Sequence, residues 1–484
     1  MRPKKEVGLA YGARWLASGA AGWLLMVRLF HVYYPVRTLV LLLCEALIVG
    51  ASFLAAALLL LGPDTYLALN YEAGALKIGT VVVLALFCSY YLDLYAPQRL
   101  PSKSEIYFRL LTVVGVLSIV LAAIAFFFPG FEIGRFVLLF GLVILTVVLL
   151  IWRSVYERVI ALPFFREHVY VLGTGERAQR VVEAIRSRRD LGMEVMGWVG
   201  ALGNGSITGD EFARALSAFG NRTLHVDRIV VALQDRRGTM PLRELLDLRL
   251  GGIKIEDVSS LLEKISGKIE IDSLQPSAVI FGEGFNVRRP LILARRLVST
   301  LVAGSALLVL LPFIPLIALA VKLSSPGPVF FKQDRVGRRG APFTLYKFRT
   351  MRQDAEAGTG AVWARKDDPR VTRVGRLLRK TRLDEVPQLW NVLKGDMGFV
   401  GPRPERPEFV KWLADQIPYY NLRHIVRPGL TGWAQVRYRY GATLEEAKQK
   451  LEYDLYYIKH MSVALDLLIT FETLKTIVLR RGAQ

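Results

Sequence analysis

Four stretches of the chain, at about 38–61, 78–95, 110–128 and 136–152, are apolar and long enough to cross a bilayer, whose hydrocarbon takes roughly 20 helical residues. In hydrocarbon every backbone N–H and C=O must find its partner within the protein, so such segments fold as helices. This commits residues 1–160 to an N-terminal interfacial segment and a four-span α-helical bundle. The basic residues orient it. Arg2, Lys4, Lys5, Arg14, Arg28 and Arg37 precede the first span, Arg99, Lys103 and Arg109 lie between the second and third, and Arg153 and Arg158 follow the fourth. The opposite loops offer Lys77 and Arg135. Cytosolic loops carry the excess of Lys and Arg, which puts both ends of the bundle and the downstream chain on the cytosolic side of the membrane.

Arg14 and Arg28 interrupt the run that a cleaved signal peptide would need, while Trp15, Trp23 and the Tyr33–Tyr34 pair predict an interfacial helix. Glu45, inside the first span, has two readings, a functional carboxylate or one paired with a basic residue. A hydrophobic fraction of 52% sets the chain apart from ordinary soluble enzymes, and a net charge of +21 suits anionic headgroups, nucleotides or nucleic acid. Cys44 and Cys88 lie in apolar runs without ligand spacing, which argues against a disulfide framework or a zinc site.

From His168 the pattern changes to short β-rich runs alternating with helical stretches, one of them near 210–219, and predicts a Rossmann-like α/β domain over 161–288. Gly173 and Gly175 follow its first strand and precede a helix, the context of a nucleotide loop, yet Trp198–Ala201 supplies no acidic ribose partner. Nucleotide binding and a regulatory or assembly role both stay open. Residues 289–324 are apolar again, but Pro312 and Pro315 interrupt them, with Arg288, Arg289, Arg295 and Arg296 before and Lys322, Lys332 and Arg335 after. Cationic flanks at both ends and a proline kink predict a re-entrant helix that enters and leaves one leaflet. A straight fifth span is the alternative and would put the rest of the chain outside.

Residues 325–484 form the last domain. Its acidic pair, Asp384–Glu385, follows Thr381 at an expected helix start, so that a capping box and a catalytic carboxylate are equally good local readings. Lys347, Arg349, Arg379, Arg382, Arg403 and Arg427 occupy the same segment, and guanidinium forks match phosphate oxygens. Arg373, Arg376 and Lys380 read as a solvated basic face. An ionised carboxylate among such cations can attack phosphorus or hold Mg²⁺.

Several runs, in order, carry a resemblance: Phe331 to Gly337, Tyr346-Lys347-Phe348-Arg349-Thr350-Met351, Leu383 to Met397, Gly401-Pro402-Arg403-Pro404, and Arg427-Pro428-Gly429 to Trp433. They resemble the bacterial sugar transferases, the polyprenyl-phosphate glycosyl-1-phosphate transferases, and the whole layout is similar to the long forms related to undecaprenyl-phosphate galactose and glucose phosphotransferases. The resemblance implies an α/β monotopic catalytic domain in which Asp384 attacks the β-phosphorus of a UDP-sugar, expels UMP and carries the sugar phosphate to a polyprenyl phosphate. It further implies that Glu385 assists proton transfer and that Mg²⁺ is held partly by Asp384. Substrate contacts fall to Lys347, Arg349, Arg379, Arg403 and Arg427, with Gln388 and Asn391 as orienting groups. Where family members carry Ser-Pro at the helix break and an acid near that helix's start, this chain has Leu311–Pro312 and Ser299. The expected partners are the UDP-sugar, the polyprenyl phosphate, the bilayer and a second copy in a homodimer, but no nucleic acid. The identity of the sugar is not written in these motifs. The competing class is a non-enzymatic membrane sensor with a nucleotide-binding Rossmann-like domain.

Overall fold

The computed structural model describes residues 26–484 apart from 97–101, 161, 163–164, 174, 199–225, 234–239, 275, 283, 286–288, 354, 356–367, 439–442 and 480–484. Trp15, Trp23, Arg99, Arg288 and the helix expected near 210–219 lie outside the described residues. The chain forms two compact units, Met1–Val27 with Tyr33–Val258, and Arg28–Val32 with Ser259–Gln484.

Residues 26–35 depart from the expected interfacial helix. They form a hairpin of β1 (Met26–Leu29) and β2 (Val32–Pro35). Phe30 and His31 both take left-handed φ values, 52° and 65°, which a two-residue type I′ turn requires. Tyr33 and Tyr34 therefore sit on a strand.

In the first unit, four long helices follow: α1 (Val36–Leu61), α2 (Gly74–Tyr91), α3 (Lys103–Phe127) and α4 (Arg135–Ile160). The second ends at Tyr91, short of the expected boundary, because Asp93 turns left-handed at φ 58° and draws residues 92–95 into a turn. Val49, Phe53, Val81, Leu110, Leu117 and Leu145 close a common core. Gly141 on α4 lies so close to Phe53 of α1 that a Cβ there would meet the ring at 2.8 Å. The outward faces are equally apolar: Leu43, Leu47, Val83, Ile119, Leu139 and Ile151 are all exposed. Helices hydrophobic all round are those of a membrane bundle or a large core. Glu45 is paired, with Arg153 Nε 2.6 Å away and the Tyr95 hydroxyl donating to its other oxygen at 2.6 Å.

Next in the same unit come β3 (Glu167–Leu172), α5 (Glu176–Ser187), β4 (Met193–Trp198), β5 (Arg228–Val231), α6 (Leu242–Leu250) and β6 (Lys254–Asp257). The strands are all parallel, in the order β4-β3-β5-β6. An α/β sheet domain is thus present, and its central strand β5 is buried at every position, as a parallel strand covered on both faces must be.

The second unit begins around α7 (Val258–Ser266) and continues with α8 (Arg289–Leu310), a 3₁₀ turn at Leu311–Phe313, and α9 (Ile314–Ser324). Pro312 and Pro315 stand in the first turns of the 3₁₀ segment and of α9, where a missing N–H costs no hydrogen bond. With α1 to α4 this makes, among the described residues, five helical segments long and apolar enough to cross a membrane, and the apolar stretch of the fifth is almost wholly unburied. Ala303 of α8 and Val321 of α9 nevertheless share one core with Leu345, Phe348, Leu378, Leu389 and Val392. The elements that follow include an antiparallel hairpin of β7 (Phe330–Val336) and β8 (Pro342–Phe348), then α10 (Arg373–Thr381), α11 (Gln388–Lys394), β9 (Gly398–Val400), β10 (Gly429–Thr431) parallel to β9, α12 (Leu444–Lys459) and α13 (Val463–Val478).

Arg295 fastens the start of α8 to this unit. Its Nε donates to Asp466 Oδ2 at 2.7 Å, an Nη donates to the Val400 carbonyl at 3.2 Å, and the guanidinium also meets Tyr457, whose hydroxyl donates to Asp466 Oδ1 at 2.8 Å. Removing one partner of a buried pair strands the other, at a cost of about 3–5 kcal/mol. Arg295→Met should therefore lower thermal stability in detergent by that order, and adding Asp466→Leu should restore much of it; a single variant as stable as the parent would show that the pair does not anchor the helix.

Candidate active site

Helix α10 starts on Thr372, whose hydroxyl accepts the Gly375 N–H at 2.9 Å. Gly375 is pressed against the preceding strand segment, where a Cβ would stand 2.1 Å from the Thr350 carbonyl oxygen. The helix ends at Thr381, whose hydroxyl donates back to the Leu377 carbonyl at 2.9 Å. Arg382 then takes a left-handed backbone, φ 59° and ψ 14°, a conformation that costs a non-glycine residue on the order of 1 kcal/mol. Leu383–Glu385 follows as a single 3₁₀ turn before α11. Thr381 is thus the end of one helix rather than the cap of the next, and the capping-box reading of Asp384 falls away.

The turn carries both carboxyls into the unit, each 8% exposed, with different partners. Glu385 receives Arg403 at 2.7 Å and Lys347 at 3.2 Å, and Arg382 stands 3.6 Å away. Burial works against ionisation here, but Arg403, Lys347 and Arg382 together hold the Glu385 carboxyl well below the usual carboxylate range. Asp384 accepts no side-chain hydrogen bond among the described residues. Burial pushes its carboxyl above the ordinary aspartate value, against the pull of Lys347 and with the help of the neighbouring Glu385 charge. Arg379 also acts on Asp384, and its Nε donates to Thr350 Oγ1 at 3.0 Å. Four cations thus surround two carboxylates, a surplus that favours a polyanionic ligand.

Each element supplies one piece. Lys347 lies on β8 opposite Phe331, Arg379 on the last turn of α10, and Arg403 just beyond β9. Arg423 donates to the Arg403 carbonyl at 2.9 Å and pairs with Asp454 of α12 at 2.9 Å, both of them buried, which fixes the Arg403 backbone. The expected residues Asp384, Glu385, Lys347, Arg379 and Arg403 are therefore brought together. Arg382, one of the cations expected in this segment, and Thr350, within the Tyr346–Met351 run, belong with them; the i, i+3 spacing of Arg382 to Glu385 suits their pairing.

The other expected residues stand elsewhere. Arg349 is 6% exposed and donates to the Ser325 carbonyl at 2.6 Å, at the end of α9. Gln388 is buried with its Nε2 unpartnered. Arg427 faces a separate cavity with Arg295, Arg296 and Arg338. Pro312 and Pro315 mark the helix break. Gly173 packs on the end of β5, where a Cβ would stand 2.6 Å from the Ala232 backbone, and Gly175, at φ 79°, precedes α5; close packing alone accounts for the first glycine. Burial and the Arg423 charge bring His424 down to about 4, so it is neutral near pH 7.

Asn391 is fully buried and ties α11 to β8, accepting the Tyr346 N–H at 3.1 Å and donating to the Thr344 carbonyl at 2.8 Å. Truncation would leave two buried backbone groups unpaired at about 1–3 kcal/mol each. Asn391→Ala should thus lose thermal stability by a few kcal/mol; a variant of parental stability whose defect is confined to ligand affinity would instead make Asn391 a ligand contact.

Residues 291–480 match the family model described as bacterial sugar transferase. The chain is 42% identical over 243 residues to a UDP-N-acetylgalactosamine-undecaprenyl-phosphate N-acetylgalactosaminephosphotransferase of Aeromonas hydrophila, covering 50% of this chain and 56% of the relative. It is 35% identical over 317 residues to the UDP-glucose:undecaprenyl-phosphate glucose-1-phosphate transferase of Escherichia coli K12, covering 63% and 66%. It is 46% identical over 175 residues to the exopolysaccharide production protein PSS of Rhizobium leguminosarum, covering 35% of this chain and 87% of the relative. The match thus spans less than two thirds of the first two proteins and most of the third. Sequence motifs, the buried carboxylate pair and these relatives agree: the chain belongs to the bacterial sugar transferase family.

Proposed function

We propose that the protein transfers a hexose-1-phosphate from a UDP-sugar to a polyprenyl phosphate, releasing UMP and starting a lipid-linked surface polysaccharide. The observation that carries this reading is a buried carboxylate free of side-chain hydrogen bonds, Asp384, set among Lys347, Arg379, Arg382 and Arg403. In the first step Asp384 Oδ attacks the β-phosphorus of the donor; the new O–P bond forms as the bond to the bridging oxygen breaks, and UMP leaves with that electron pair. In the second a phosphate oxygen of the lipid attacks the same phosphorus and Asp384 departs as carboxylate. The surplus cations let two anions meet.

Glu385, expected to move a proton, is better suited to another task. A carboxylate held this far below its usual range is a weak base, so its part in the reading is to hold Lys347, Arg382 and Arg403 in place. A lipid phosphate that enters as the dianion needs no proton acceptor. Magnesium fits the residues present, because it binds through one or two carboxylates together with substrate phosphates. Asp384 would hold it, and the remaining ligands would come from the diphosphate, since among the described residues no three His, Cys, Asp or Glu groups converge. When bound, the ion supplies charge neutralisation.

The same proposal has α1 to α4 spanning the bacterial inner membrane and α8–α9 entering and leaving its cytosolic leaflet. In a straight helix Ala303 and Val321 would stand about 27 Å apart, so their meeting in one core supports a bend. Arg295 and Arg349 hold the two ends to one unit, which supports a catalytic domain seated on the cytosolic face. The Gly173–Gly175 loop as a nucleotide site, and a homodimer, belong to the proposal too; crosslinking in native lipid that yields monomer alone would remove the dimer.

With a panel of UDP-sugars, lipid acceptor and Mg²⁺, the parent should release UMP and form lipid-linked product, and Asp384→Asn should cut UMP release by on the order of 10⁴-fold. A variant that keeps parental rates would sink the aspartyl step. The acid limb of the pH–rate profile should report Asp384, which attacks only when ionised and lies above the ordinary aspartate value. The Glu385 charge helps to raise it, so Glu385→Gln should move that limb to lower pH; a limb that stays or rises would contradict the assignment.

A further inference from the structure

Outside the Asp384 cluster the second unit holds another concentration of cations. Arg295, Arg296, Ser299 and Thr300 of α8 line a cavity of about 40 Å³ with Arg338 from the turn after β7 and Arg427 from the segment before β10. On this measure a water molecule takes roughly 10–15 Å³, so the space admits a group of phosphate size. Arg295 is committed to Asp466. Among the described residues no carboxylate lies within ion-pair distance of Arg296, Arg338 or Arg427. Arg338 donates one bond, to the Ile425 carbonyl at 3.3 Å. Burial, and then Arg296, Arg338 and Arg295, lower the Arg427 guanidinium below its ordinary value against the pull of Asp396, itself 3.1 Å from Lys394. Guanidiniums crowded without a counterion repel one another, and an anion placed among them removes that cost.

Position gives the ligand its class. Beyond Arg295–Arg296 α8 carries no further charge, and its Leu297, Leu301, Leu308 and Val309 are all more than half exposed. Lipid that covers this shaft brings its phosphates level with the first turns of α8, whose Arg295, Arg296, Ser299 and Thr300 line the cavity. We propose that this arginine cavity binds the phosphate group of a membrane lipid, at a site distinct from the Asp384 cluster. The proposal rests on lipid covering α8, and not on the transfer reaction.

The full chain in detergent is titrated by native mass spectrometry with phosphatidylglycerol, with polyprenyl phosphate and with inorganic phosphate, alongside Arg296→Gln and Arg296→Lys. One lipid per chain should bind, about ten-fold more weakly to Arg296→Gln, with most affinity retained by Arg296→Lys and equal melting temperatures certifying the fold. Phosphatidylglycerol or polyprenyl phosphate, whichever shows the Arg296 dependence, identifies the lipid. Asp384→Asn should bind phosphatidylglycerol as the parent does and keep the Arg296-dependent part of polyprenyl phosphate binding, so that failure of the catalytic reading leaves this result standing. Arg296-dependent binding of inorganic phosphate alone, or lipid binding indifferent to Arg296→Gln, overturns the proposal.

Discussion

An ionised carboxylate inside a protein is tolerable only if its charge is answered on the spot, and Glu385 is answered three times. Lys347 comes from a strand, Arg382 from the residue that ends a helix, and Arg403 from the segment after β9. These stretches are far apart in sequence, so the buried charge acts as the knot that makes them converge. Remove it and three cations lose their reason to meet. Asp384, one residue away, then owes its setting to its neighbour: Lys347 and Arg403, which bond Glu385, are also near enough to act on Asp384, without bonding to it.

A second constraint comes from the broken helix. Its side chains face outward over most of its length, yet each end is held, by Arg295 to Asp466 and the Val400 carbonyl and by Arg349 to the carbonyl of Ser325. Because β9 receives Arg295 and leads directly to Arg403, the outward-facing apolar helix and the charged cluster share one support. Proline serves this arrangement passively: it breaks the helix where the backbone would in any case restart.

The sequence made the long helices, the parallel sheet pattern and the contiguous Asp384–Glu385 pair legible, because each is written locally in periodicity or adjacency. It was silent where the answer depends on distance. Arg349 and Arg427 look equivalent to Arg403 as motif residues, yet one closes the end of a helix and the other faces a different cavity. Asn391 carries a side chain suited to substrate and uses it on two backbone groups. The hairpin at 26–35 escaped notice because its two left-handed residues are Phe30 and His31, not the glycine or asparagine that usually marks such a turn.

The left-handed residue at 382 has a consequence for how such a chain can diverge. The path from Arg379 to Gln388 ends one helix at a single left-handed residue and presents the acidic pair on a single 3₁₀ turn. One added residue there would rotate everything beyond it by about 120°, swinging the carboxylates away from their cations. Insertions and deletions along this path cannot be absorbed, so its length is a fixed quantity, whereas those of its residues that are neither the carboxylates nor their cations remain free to drift.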